Sequence, residues 1–152
     1  MRISGRRTLW VLPIVALALA ACGSAAAADP LTGTSWHLVG IVSMAPAEQP
    51  NTTIDDPNLY SVTFGDDGRA TFQVHCNRGS STWQSEPAAP DSGSLTFGEL
   101  ALTRMYCPQP SADTMVVAAL GRVRSYLISD GKLHLSLEAD GGIMNWTPAG
   151  QS

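Results

Sequence analysis

Between Tyr60 and Val74 the chain alternates with a period of two. Tyr60, Val62 and Phe64 are separated by Ser61 and Thr63, and Ala70, Phe72 and Val74 by Thr71 and Gln73. Such a pattern places its apolar residues on one face of a strand, and a helix has no single face that would bury them. The Gly65-Asp66-Asp67-Gly68 segment between the two runs is turn chemistry, so the pair is expected to be a hairpin. The same period recurs along the chain. Trp36 to Val42 is a first strand, and Met44 to Pro57, with Pro46, Pro50 and Pro57, is a loop. Gly79 to Glu86 suggests a short strand around Trp83 that Pro87 to Gly93 breaks, leaving Glu86 to Gly93 as a loop. Leu95 and Phe97 open another strand, with Leu100 and Leu102 beyond it. Tyr126 to Ile128 and Leu133 to Leu137 flank a Ser129-Asp130-Gly131 turn, and Asp140-Gly141-Gly142 leads into a last strand, Ile143 to Thr147. One stretch changes period. Met115, Val116, Ala119, Leu120 and Val123 have helical spacing, which predicts a helix over about 111–123 with Ser111 as its cap and Asp113 favoured in its first turn. The expected class is mainly β, with about eight short antiparallel strands forming a sandwich or barrel and one packed helix.

The start of the chain has a different character. Arg2, Arg6 and Arg7 precede an apolar run from Thr8 to Ala21, which is short for a bilayer-spanning helix. Leu19-Ala20-Ala21-Cys22 resembles the bacterial lipobox. That resemblance implies a signal peptide over 1–21, removed before Cys22, and acylation of Cys22, with several acyl chains holding the protein at a bilayer. Residues 22–30 then form a small-residue tether, and 31–148 a single domain. The signal carries three of the nine basic residues and none of the thirteen acidic ones. The remainder therefore has six basic against thirteen acidic residues, a net charge of −7. That balance excludes nucleic acid as a partner and gives no electrostatic grip on anionic lipid.

With Cys22 lipidated, Cys76 and Cys107 remain as one pair. An even count in an oxidising compartment points to a structural disulfide, with a redox pair and a metal or free-thiol role as its alternatives. His75 adjoins Cys76, but neighbours on a strand face opposite sides, so His75 is expected to point away from that thiol. His37, His75 and His134 show no metal-ligand spacing, and no Cys-x-x-Cys or Gly-x-Ser-x-Gly occurs. Asp55-Asp56, Asp66-Asp67 and Asp140 sit where turns are expected. The sequence thus names no catalytic residue, no metal site and no cofactor. Trp36, Trp83 and Trp146 are read as core, with ligand or partner contact as the alternative.

Leu31-Thr32-Gly33-Thr34-Ser35-Trp36-His37-Leu38 resembles the L-x-G-T-x-W-x-L opening of the META domain, the heat-shock protein HslJ-like family. Phe64, Asp67-Gly68 and Arg69 are similar to its F-x-x-D-G-R segment, Cys76-Asn77 to its Cys-Asn pair, and Leu95-Thr96-Phe97-Gly98 to the strand that follows. Thr103-Arg104-Met105-Tyr106-Cys107-Pro108 resembles its T-x-M-x-C-P. The likeness runs from about residue 31 to 147 and singles out Gly33, Thr34, Trp36, Asn77, Thr103, Met105 and Pro108 as motif residues. One departure stands out: the family usually has Gly before its Cys-Asn, where this chain has His75. The resemblance implies a compact antiparallel β-barrel with a helix packed on it, and a non-enzymatic cell-envelope lipoprotein linked to stress or antibiotic tolerance. Expected partners are the bilayer, through Cys22, and an envelope protein or small ligand. A monomer facing the periplasm or cell exterior is expected. Two alternatives are an inhibitor of an envelope-directed hydrolase such as lysozyme, using the Glu86 to Gly93 loop, and a thiol redox or quality-control protein.

Overall fold

A computed structural model describes residues 28–45, 47–48 and 50–150. The expected signal segment, Cys22 and most of the tether lie outside these. The strands are β1 (Ser35–Val42), β2 (Thr52–Thr53), β3 (Tyr60–Phe64), β4 (Arg69–Val74), β5 (Asn77–Ala89), β6 (Ser92–Phe97), β7 (Ala101–Leu102), β8 (Val123–Ser129), β9 (Lys132–Leu137) and β10 (Ile143–Pro148). The helix α1 (Asp113–Leu120) lies between β7 and β8. Every pairing is antiparallel, and eight strands close a ring in the order β1-β3-β4-β5-β6-β8-β9-β10, sealed by β10 on β1 with Trp36 opposite Pro148 and Val42 opposite Ile143. β2 adds to the edge of β1, and β7 pairs with β5 beyond the end of β6. Closure leaves no long unpaired edge in the ring.

Alternation fills the interior. Leu38, Val62, Phe64, Leu95, Leu133, Leu135, Met144 and Trp146 are all buried, each contributing about 1.5–3 kcal/mol relative to exposure. Trp36 and Trp83 join the same core, so the three tryptophans pack as expected. Trp83 meets Phe64 edge to face with ring centroids 5.1 Å apart.

The barrel has two unlike ends. At one, Leu31 is buried, Gly33 (φ +75°) donates its N–H to Phe64 O at 2.8 Å, and the Thr34 hydroxyl donates to Leu31 O while accepting from Trp36 Nε1. These bonds account for Gly33, Thr34 and Trp36: the left-handed residue folds Leu31 in as a plug. Asp29 reaches Ser85 at the same end. At the other end α1 buries Val116, Ala119 and Leu120, and the Ala112 N–H donates to the Tyr60 hydroxyl at 2.9 Å.

Three expectations need correction. The helix is shorter than 111–123, because Gly121 ends it and Val123 already belongs to β8. Ser111 is not its cap: Ala112 holds that position with no side-chain bond, and Ser111 Oγ only accepts from the Asp113 N–H at 3.3 Å. Glu86 to Gly93 is not a free loop. Glu86 pairs with Ser94, Pro87 with Gly93 and Ala89 with Ser92, so β5 runs on almost to the Pro90-Asp91 tip. A register shift after Pro87 lets the ladder do without that residue's missing N–H.

Candidate functional site

The helix end of the barrel gathers most of the unabsorbed chemistry. β4 and β5 pair Val74 with Asn77, so His75 and Cys76 form the two-residue turn between them. The first position of such a turn needs positive φ, normally glycine. His75 has φ +55° there, which explains why a glycine suits this place in the family the sequence resembles. The turn is also why neighbouring side chains do not diverge as they would on a strand. A ring nitrogen of His75 and the sulfurs of Cys76 and Cys107 lie within 4.8 Å of one another, so the expectation that His75 faces away is overturned. His75 Nδ1 is buried with no hydrogen-bond partner among the described residues, and its ring packs against Tyr60 at 5.9 Å.

Cys76 and Cys107 Sγ are 2.01 Å apart, a disulfide that closes a loop 31 residues long. Asn77, 7 % exposed, ties the same two segments together. Its Oδ1 accepts from Met105 N–H at 2.7 Å and from the Thr103 hydroxyl at 2.9 Å, while its Nδ2 donates to Met105 O at 3.1 Å and lies 3.2 Å from Cys107 Sγ. Thr103 in turn accepts from Arg78 N–H and donates its own N–H to Arg78 O. Asn77 thus clamps a segment 28 residues away. Thr103 serves through its hydroxyl and Met105 through its backbone, the Met105 side chain being exposed. Pro108 is exposed just after the disulfide.

Held in this way, the 99–106 segment and α1 border an open groove of about 1100 Å³, whose rim includes Arg78, Glu99, Leu102, Arg104, Tyr106 and Thr114. Tyr106 is 89 % exposed on a backbone fixed from both sides. Sequence reasoning passed over Arg104 and Tyr106, the variable positions inside T-x-M-x-C-P; an aromatic set between two motif residues was the available signal. Val42, Met44 and Met115 are exposed apolar side chains as well.

The remaining candidates are structural. His37 Nδ1 bonds Pro57 O at 2.9 Å, and His134 Nδ1 bonds Asn145 Oδ1 at 2.7 Å. Asp67 accepts from the Arg69 N–H and Asp56 from the Asn58 N–H, as turn carboxylates do. Tyr126, 2 % exposed, has its phenol pushed above its ordinary value first by burial and then by Asp29 and Asp91.

Comparison with known proteins agrees with this architecture. The META domain family model matches residues 29–149. A Burkholderia xenovorans protein solved by NMR is similar at 20 % identity and TM-score 0.63, covering 80 % of this chain and 85 % of that one. A DUF4847 family protein from Bacteroides vulgatus is similar at 17 % identity and TM-score 0.56, covering 81 % and 97 %. At these identities the likeness is one of fold. No curated protein matches the chain in sequence.

Proposed function

Since the chain belongs to the META domain family, we propose that it is an envelope lipoprotein held to a bilayer through acylated Cys22, whose barrel is a non-catalytic module that binds or supports another envelope component. The observation that carries the reading is Tyr106, almost fully exposed beside Arg78 and Arg104 on a segment clamped by Asn77 and the disulfide. Tyrosine and arginine dominate the energetics of recognition surfaces, and a rigid display loses little entropy on binding. The anchoring half draws support from the barrel's polarity. Asp29 and Gly33 lie at the plug end, and the groove lies towards the helix end, so a tether at Cys22 leaves the groove facing away from the membrane. The stress or tolerance role rests on the family alone.

Expression in a bacterial host with an alkyne-tagged fatty acid tests the anchor: label is expected on the chain and not on Cys22→Ser. A photo-crosslinking residue at position 106 is expected to trap one envelope partner in cells, with the trapping lost in Arg104→Ala. An unlabelled chain rejects the anchor. Substrate turnover by the soluble barrel in a hydrolase panel, abolished by one point substitution, rejects the non-catalytic reading.

A further inference from the structure

We propose that reduction of the Cys76–Cys107 bond opens a three-ligand site for a soft d¹⁰ cation, Zn(II) or Cu(I), made by the two thiolates and His75. The inference goes beyond the binding role above. Three separate observations meet at this turn. The potential ligand atoms of the three residues lie within 4.8 Å of one another. His75 Nδ1 is buried with no hydrogen-bond partner among the described residues, so no bond at that nitrogen commits the imidazole elsewhere. His75 also occupies a left-handed conformation, at φ +55°, in a turn where glycine would be unstrained. Strain kept at a non-glycine residue is a mark of functional positions, and here the residue that bears it brings an imidazole to two sulfurs.

The disulfide is polarised for opening. Cys107 is 3 % exposed, and its sulfur faces two N–H donors, the Cys76 amide at 3.3 Å and Asn77 Nδ2 at 3.2 Å. Cys76 is the more accessible partner. A dithiol reductant therefore attacks Cys76 Sγ through its thiolate. The S–S bond breaks and its electron pair leaves on Cys107 Sγ, where the two donors stabilise the charge. The second thiol of the reductant resolves the mixed disulfide and departs as its own cyclic disulfide, so two electrons and two protons pass to the protein. Cation binding then releases those two protons from the cysteines.

In a tetrahedral zinc site, with Zn–S near 2.3 Å, the two sulfurs sit about 3.7 Å apart, so they must separate once the bond is reduced. Rotation of the Cys76 side chain in its turn supplies that motion, while Cys107 stays bonded to Asn77. Water completes four-coordination around zinc, and three ligands suffice for Cu(I). The Asn77 and Cys76 N–H groups become the supporting hydrogen bonds that thiolate sites use.

The test uses the full chain with Cys22→Ser, so that Cys76 and Cys107 are the only thiols. It is reduced with a dithiol, freed of reductant without oxygen, and titrated with Zn(II) and then with Cu(I) against chromophoric chelators. One equivalent is expected to bind with a dissociation constant below about 100 nM. Co(II) should give the bands of a tetrahedral thiolate complex, and near-ultraviolet circular dichroism should stay native. His75→Gly, which suits the turn, is expected to keep the oxidised fold and weaken binding at least about 100-fold. His75→Asn, tolerant of positive φ, is the second variant should the glycine perturb the turn. The proposal is overturned if the reduced chain takes up neither metal, if both His75 variants bind as tightly as the parent, or if metal is taken up only after the native dichroism is lost.

Discussion

At the scale of single residues, Asn77 carries the most structure per atom. Replacing it with Ala strips the buried partners of the Thr103 hydroxyl and of both Met105 backbone groups. Asn77→Ala is therefore expected to lose roughly 2–4 kcal/mol in a urea titration. Tyr126 gives a pH dependence with a definite sign. The folded chain holds the phenol proton more tightly than the unfolded chain does, chiefly through burial. That contribution to stability is full below the ordinary value of 10.0 and is lost as pH rises through the folded value. Melting temperature is expected to fall more steeply above pH 10.0 in the parent than in Tyr126→Phe, which keeps the ring and deletes a hydroxyl that has no partner among the described residues. Some of this was legible beforehand and some was not. Asn77, Thr103 and Met105 stood out through their motif, yet no spacing rule says that an amide will reach 28 residues along the chain. His75 was misjudged because strand geometry was extended one residue too far, into a turn where side chains no longer alternate.

At the scale of elements, the strands with clean alternation were readable, and β3, β4 and β9 lie where the period of two puts them. β5 was half seen. Its first half reads Asn77-Arg78-Gly79-Ser80-Ser81, with no apolar alternation to announce a strand. Small residues are needed there because β7 crosses close by: a Cβ on Gly79 would lie 2.2 Å from Ala101 O. The expected helix was too long because Val123 continues its apolar spacing while pairing with Leu137. The disulfide belongs to this scale, since it joins the β4–β5 turn to the segment leading into α1. Cys76→Ala with Cys107→Ala is expected to lose about 3–4 kcal/mol by loop entropy. Loss of the tether is also expected to bring earlier hydrogen exchange in 99–106 than in the β3–β4 hairpin. Equal protection in both regions would mean that Asn77 alone holds the segment.

At the scale of the molecule, local patterning says that strands exist but not which of them are neighbours. Here β1 and β10 meet across nearly the whole domain. The barrel was expected from the family resemblance rather than from any pairing visible in the residues. Because β10 hydrogen-bonds both β9 and β1, a chain truncated after Gly142 loses Met144 and Trp146 from the core and opens two edges at once. It is expected to lose cooperative thermal unfolding altogether, whereas removing Gly150 and the residues after it should leave the transition in place.

The seal between the first and last strands also sets a timetable. During synthesis, every stretch short of Pro148 lacks the partner that closes the ring, so the barrel cannot be completed before β10 has been made. Sheets built on such distant pairings form slowly. A growing chain can form its local hairpins early, but its ring stays open until β10 is available to β1.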